Sequence, residues 1–162
     1  METAAFTIYD ASAGSGKTYT LTKEYLKILF LSSTDDAYRK ILAITFTNKA
    51  VEEMKSRIVS SLYQFSIDET SEKAMDLLRD VSKDTNLSIT TIKDKSKAII
   101  KNIIHNYAAF DISTIDKFTL KVIRTFEQDL NLPPNFEISL DTDALLQEAI
   151  DLVISKAGED VN

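Results

Sequence analysis

Ala11-Ser12-Ala13-Gly14-Ser15-Gly16-Lys17-Thr18 runs straight out of the apolar stretch Phe6-Thr7-Ile8-Tyr9 and into a segment of helical period. A chain that passes from strand to helix through such a turn has few conformations open to it. Gly14 and Gly16 can take backbone angles closed to residues with a Cβ, and they let the chain approach an anion closely. The amide groups then converge at a helix N-terminus, where unpaired donors and partial positive charge favour phosphate. The spacing is that of a phosphate-binding loop, in which Lys17 reaches the β- and γ-phosphates and the Thr18 hydroxyl ligates magnesium. Ala11 stands where the pattern G-x-x-x-x-G-K-[ST] has its first glycine, and alanine is small enough to keep the turn. The plain alternative is a Gly/Ser turn that happens to precede a lysine. That reading does not require a strand before the turn and a helix after it, and both patterns are present. The octapeptide names a nucleotide site, not a reaction.

The remaining punctuation of the chain alternates strands with helices. Phe6 to Asp10 reads as a first buried strand and Thr18 to Leu31 as a helix, with Leu21, Tyr25, Ile28 and Leu29 at helical spacing. Ser32 to Asp36 is a loop by composition. Ile41 to Phe46 reads as a second strand, apolar on both faces as central parallel strands are. From Asn48 the period becomes helical, with Val51, Met54, Ile58, Leu62 and Phe65 on one stripe. Residues 67–108 predict one or two more helices. Ala74, Leu77, Leu78 and Val81 mark the first, and Ile99, Ile100, Ile103, Ile104 and Tyr107 the second. Phe110 to Thr114 resembles a third short strand, followed by a helix through Phe118, Val122, Ile123 and Phe126. Asn131-Leu132-Pro133-Pro134 breaks the chain. A last helix begins near Asp141 with Leu145, Leu146, Ile150, Leu152 and Val153. This order argues an α/β fold with a parallel sheet.

Charge decides less than its total implies. The net charge is −6, but residues 125–162 hold 1 basic and 9 acidic side chains, whereas residues 91–124 hold 7 and 3. The acid is concentrated at one end, so the overall sign neither supports nor excludes a polyanion partner. The absence of cysteine fits a reducing compartment. No apolar run approaches the roughly 20 residues that span a bilayer, and Met1 to Ala5 lacks the basic start of a secretion signal. A soluble, cytoplasmic chain with no membrane partner is the expectation. His105, the single histidine, sits on an apolar helix and is assigned no role.

Two further turns carry chemistry. Thr45-Phe46-Thr47-Asn48-Lys49-Ala50 lies where the second strand gives way to its helix. In an open α/β sheet the carboxyl ends of strands line the ligand crevice, which would place this turn and the phosphate loop on one rim. Hydroxyls and an amide can bond phosphates, and a Phe ring can support a base. Read blandly, Phe46 is core and Thr47 a helix N-cap. Asp111-Ile112-Ser113-Thr114-Ile115-Asp116-Lys117-Phe118 is again a strand end leading into a helix, its bland reading a cap with core aromatics.

Taken in order, A-S-A-G-S-G-K-T, I-L-A-I-T-F-T-N-K-A-x-E-E-M-K-x-R-I and I-S-T-I-D-K-F resemble the N-terminal part of UvrD/RecB/AddA-type superfamily 1 DNA helicases, across most of residues 6–130. The long helical filler between the second and third motifs is similar to the RecB/AddA branch of helicase–exonucleases. The resemblance implies an ATP- and Mg2+-dependent motor on DNA, single- or double-stranded, serving DNA repair. A second helicase–nuclease subunit would be a further partner. It implies a P-loop NTPase, RecA-like parallel sheet flanked by helices. The first motor domain would cover residues 1–132 with a helical insertion at about 67–108, and a following helical subdomain would start at 133–162. Ala11 to Thr18, with Tyr19, would hold the nucleotide. Lys17 and Thr18 would be its catalytic residues, and Thr18 would hold the metal. Thr45, Phe46, Thr47 and Asn48, then Ser113 and Thr114, would touch DNA. Two positions depart from the family pattern. Asp116 stands where many members have histidine, and no glutamine precedes the loop where adenine is read. Tyr19 could stack on the base instead, or pack on the core.

Phosphoryl transfer also needs an acidic magnesium ligand, a water-orienting group and usually an arginine finger. No apolar strand ending in an Asp-Glu pair occurs in the 162 residues. Tyr107 to Asp111 imitates one but leads directly into the third motif. The expectation is a piece of a longer motor that is inactive alone. A complete small P-loop kinase would instead need a basic lid, and the last 38 residues contain only Lys156. A non-catalytic nucleotide- or partner-binding module is the other alternative, and it predicts no affinity for single-stranded DNA.

Overall fold

A computed structural model describes residues 6–9, 16–133, 135–136 and 142–156. The chain divides into two units, residues 1–120 and 121–162. In the first, helix α1 (Lys17–Leu31) is followed by a 3-10 turn (Ala37–Lys40), strand β1 (Ala43–Thr45) and helix α2 (Asn48–Ser66). Helices α3 (Glu72–Thr85) and α4 (Ile89–His105) come next, then a second 3-10 turn (Tyr107–Ala109), strand β2 (Ile112–Thr114) and helix α5 (Ile115–Thr125). The second unit holds the end of α5 and helix α6 (Thr142–Lys156).

The structure is α/β but mostly helical. Among the described residues the sheet has two strands, β1 and β2, parallel and in the register Ala43↔Ile112, Ile44↔Ser113 and Thr45↔Thr114. Parallel strands require a crossover, and α2, α3 and α4 supply it. Val51, Met54, Ile58, Leu62 and Phe65 are all buried, as the stripe on α2 predicts. α2 packs most extensively on α4 and also covers β2 and β1. α3 and α4 form a hairpin. Asn86 ends α3 in the left-handed region at φ 56°, a conformation asparagine tolerates, and the Ser88 hydroxyl accepts the Thr91 N–H at 3.1 Å to cap α4.

Long-range polar contacts tie α4 to the segment after α1. Lys95 Nζ donates to the Phe30 and Ser32 carbonyl oxygens, each at 2.7 Å, which satisfies carbonyls at the end of α1 with a cation where the helix dipole favours one. Tyr38, fully buried, donates to the Asn102 carbonyl at 3.0 Å. Phe110 is fully buried just ahead of β2 and meets Tyr25, Tyr38 and Tyr107 edge-on, with centroids 6.0, 6.3 and 6.1 Å away. Edge-to-face rings at that spacing add to what their burial contributes.

Several expectations are corrected. Phe6 to Tyr9 forms no strand and is exposed, and among the described residues β1 pairs only with β2; Asp10 lies outside the described residues. Ile41 to Phe46 is not apolar-buried on both faces. Only Ala43–Thr45 pairs, and Ile44 faces away from the helices that cover the sheet and is exposed. Ile104 and Tyr107 are exposed, because α4 ends at His105 and its buried stripe runs Ile92, Ser96, Ile99, Ile103. α6 forms where expected, with Leu145, Leu146, Ile150, Leu152 and Val153 exposed. Among the described residues no helix is long and apolar enough to cross a membrane.

Deleting the ring that joins α1, the 37–40 turn and the approach to β2 is expected to be severe. Phe110→Ala should lower the unfolding free energy by about 3–5 kcal/mol in denaturant titrations, whereas the exposed-pair control Glu53→Ala should change it by less than about 1 kcal/mol.

Candidate functional site

Residues 11–15 of the Gly/Ser loop lie outside the described residues; Gly16, Lys17 and Thr18 are described. Gly16 is the N-cap of α1 with φ 82° and ψ 17°, in the left-handed region. Its Cβ position meets nothing within 4 Å, so glycine is favoured there by backbone conformation and not by crowding. The Gly16 carbonyl accepts the Thr20 N–H at 3.0 Å. Among the described residues no side chain caps the helix, and its first turn carries no acid, an arrangement that leaves leading N–H groups for an anion. Lys17 is exposed beside them, and Thr18 is half-buried. This donor set suits phosphate: a bare helix start, a cation and a hydroxyl. Thr18 is the residue here that could hold a magnesium ion beside it.

The first turn of α1 is braced from the side. Tyr19 donates its hydroxyl to Asp80 on α3 at 2.6 Å. Burial first, then that hydrogen bond, push the phenol up to about 12. One and two turns on, Lys23 meets Asp84 at 3.1 Å and Lys27 meets it at 3.5 Å. Lys23 beside it holds the Asp84 carboxyl below its ordinary value. Tyr19, Lys23 and Lys27 recur every four residues on α1, and Asp76, Asp80 and Asp84 do so on α3, which places each set on one helix face. Asp80 escaped notice in the sequence; the matched spacing of the two rows was the signal that could have found it.

The other two motifs come together. β1 and β2 are adjacent and parallel, so Thr45 and Thr114, partners in register, end the two strands side by side. Phe46 is 86% exposed, which removes its reading as a core ring. Thr47 is the N-cap of α2, its hydroxyl accepting the Ala50 N–H at 3.1 Å, and Thr45 Oγ1 donates to the Thr47 carbonyl at 3.2 Å. Asn48 is exposed in the first turn of α2. Across the pair, Ser113 Oγ donates to the Thr114 carbonyl at 2.9 Å, and Thr114 Oγ1 accepts the Lys117 N–H at 3.3 Å. The result is an exposed ring flanked by hydroxyls and by Lys49 and Lys117, each in the opening turn of its helix. Asp111 stands beside Tyr25, whose phenol is raised first by burial and then by that carboxylate. The run before it is a 3-10 turn and not a strand. His105 is exposed at the end of α4, its Nδ1 2.7 Å from the Lys101 carbonyl oxygen.

Comparison with known proteins adds lineage to geometry. The family described as UvrD/REP helicase N-terminal domain matches residues 4–161. An ATP-dependent helicase/nuclease subunit from Lactobacillus acidophilus is 34% identical over 134 residues, which is 83% of this chain and 9% of that protein. The protein of the same name from Bacillus cytotoxicus is 31% identical over 148 residues, 90% of this chain and 10% of its own length. That of Staphylococcus aureus is 29% identical over 157 residues, 96% and 11%. The chain thus spans about a tenth of the length of these relatives. No solved structure matches it.

The brace on α1 has a pH signature. A phenol whose pKa rises on folding, from 10.0 to about 12 for Tyr19, supports the folded state below pH 10 and withdraws that support as pH climbs towards 12. Unfolding free energy measured across that window should fall, and fall less steeply in Tyr19→Phe. An equal slope in the variant would place the titration elsewhere.

Proposed function

Since this chain belongs to the UvrD/REP helicase N-terminal domain family, we propose that it forms the ATP-binding front of a DNA helicase motor. The observation that carries this reading is the helix start at Gly16: left-handed, uncapped, free of acid and followed by Lys17 and Thr18. Lys17 binds and orients the terminal phosphates, and Thr18 presents its hydroxyl to the magnesium ion. Ala11 to Ser15, with Tyr19, are assigned to the same nucleotide site. ATP bound there supplies the free energy that drives movement along DNA. We read β1 and β2 as part of a larger RecA-like parallel sheet, with residues 67–108 as a helical insertion in a motor domain of residues 1–132. Residues 133–162 open the following subdomain.

The exposed rim at the ends of β1 and β2 is the proposed track for a single strand. Phe46 offers a stacking face, while Thr45, Thr47, Asn48, Ser113 and Thr114 offer polar groups to phosphates. Thr47 and Thr114 also serve as helix-start acceptors, so each positions backbone N–H groups as well as its own hydroxyl. The relatives are named as ATP-dependent helicase/nuclease subunits, which supports a helicase–nuclease parent; action in repair with a second polypeptide is part of the proposal. Without an apolar strand ending in Asp-Glu, these 162 residues alone should hydrolyse ATP negligibly.

Two outcomes test the reading. Titration calorimetry with Mg2+–ATP should show weak binding, above micromolar, that Lys17→Ala abolishes; binding unchanged in that variant contradicts the site. Fluorescence anisotropy with an oligothymidine should show affinity that falls linearly on a log–log plot against salt, with a slope of about −0.7 per phosphate neutralised. Phe46→Ala should weaken it by about fivefold or more without lowering the melting temperature, since the ring is exposed. No binding at low salt would favour a module that does not touch DNA.

A further inference from the structure

A cavity of about 220 Å³ opens between α1, α2 and α3. Tyr19 of α1, Arg57 and Gln64 of α2, and Lys73, Ala74 and Leu77 of α3 contribute to its walls. Its lining holds two cations, Arg57 and Lys73, and no carboxylate, although the whole chain carries 25 acidic and 19 basic side chains. Leu77 is buried and Ala74 half-buried, which gives the α3 wall an apolar surface. Lys17, Thr18 and the strand-end turns take no part in this lining. Tyr19 is shared with the nucleotide reading, but it follows Lys17 by two residues, about 200° round the helix. The cavity therefore opens on another side of α1 and stands independently of that reading. An aromatic ring, an apolar wall and a few placed polar groups are the makings of a small-molecule site.

The hydrogen-bonding capacity left over around the cavity is that of donors. Gln64 Oε1 accepts the Ser71 N–H at 3.1 Å, which fixes the amide and leaves Nε2 to donate. Arg57 gives Nε and Nη2 to Glu53 Oε1 at 3.0 and 2.7 Å, so Nη1 remains for a second acceptor. Lys73 is exposed and makes no ion pair among the described residues. The Tyr19 hydroxyl is already committed to Asp80 at 2.6 Å, which steadies the ring as a wall. A ligand that fits must bring acceptors for these donors and an apolar body for Tyr19, Ala74 and Leu77. Size narrows it further. A cavity of about 150 Å³ holds benzene, so 220 Å³ has room for one ring and a short anionic arm. We propose that this cavity binds a small aryl carboxylate. Its ring packs on Tyr19, Ala74 and Leu77, and its carboxylate meets the edge formed by Lys73, Gln64 and Arg57.

The test titrates the isotope-labelled 162-residue chain with 3-phenylpropionate, without nucleotide or magnesium, and follows backbone amide shifts. A ligand of this size should bind in roughly the millimolar range, with saturable shifts gathered at Gln64, Ser71, Lys73, Ala74 and Leu77. The neutral analogue 3-phenylpropanamide keeps the ring and loses the charge, so it should bind about fivefold more weakly. Lys73→Ala, a change at an exposed side chain, should weaken the acid by about threefold and leave the amide unaffected. Ala74→Phe, which fills the cavity, should abolish the shifts for both. Acid and amide bound equally by wild type would overturn the assignment, and that comparison needs no variant to fold. Shifts that do not saturate, or that gather away from these five residues, would also overturn it, as would unchanged affinity for the acid in Lys73→Ala.

Discussion

Two strands that run the same way cannot be joined by a tight turn, and that constraint organises the first unit of this protein. Between Thr45 and Ile112 the chain must leave the sheet, cross over and return in register. It does so with α2 laid on both strands and α4 packed against α2, the contact on which the core depends. Because the crossover is complete, both strands finish at the same end. The turn at Phe46 and the turn at Thr114 are neighbours for that reason, though 68 residues separate them in sequence. An exposed rim that carries both turns is a by-product of parallel pairing.

α1 stands in a different relation to that core. Its far end is fixed by Lys95 on the Phe30 and Ser32 carbonyls and by the rings around Phe110. Its leading end is steadied by α3, through Tyr19 and Asp80. A helix held at both ends presents its open N–H groups in a fixed direction, which is what a phosphate site requires. The same brace brings α3 beside the first turn.

Much of this was legible in the chain itself. The α2 stripe from Val51 to Phe65, the apolar positions Leu77, Leu78 and Val81, and the cap at Thr47 follow local periodicity and local hydrogen bonding. Burial set by distant partners did not show. Tyr38 sits among Asp35, Asp36, Arg39 and Lys40, yet it is fully buried because Phe110 and the Asn102 carbonyl receive it. Ile44 and Phe46 have the hydropathy of core residues and are exposed, since no described element covers that face. Lys95 acts on carbonyls more than sixty residues away, which no spacing rule reveals. At the site, the residue types at Gly16, Lys17 and Thr18 were readable, while the pairing of Tyr19 with Asp80 was present in the sequence only as the matched four-residue spacing of two rows.

The central claim, that ligand phosphates settle at the start of α1, is tested most directly by amide chemical-shift mapping. Isotope-labelled protein titrated with Mg2+–ATP should show its largest, saturable shifts at residues 11–19. Shifts confined to the strand-end rim at Phe46 and Thr114, or spread without saturation over surface lysines, would contradict the account.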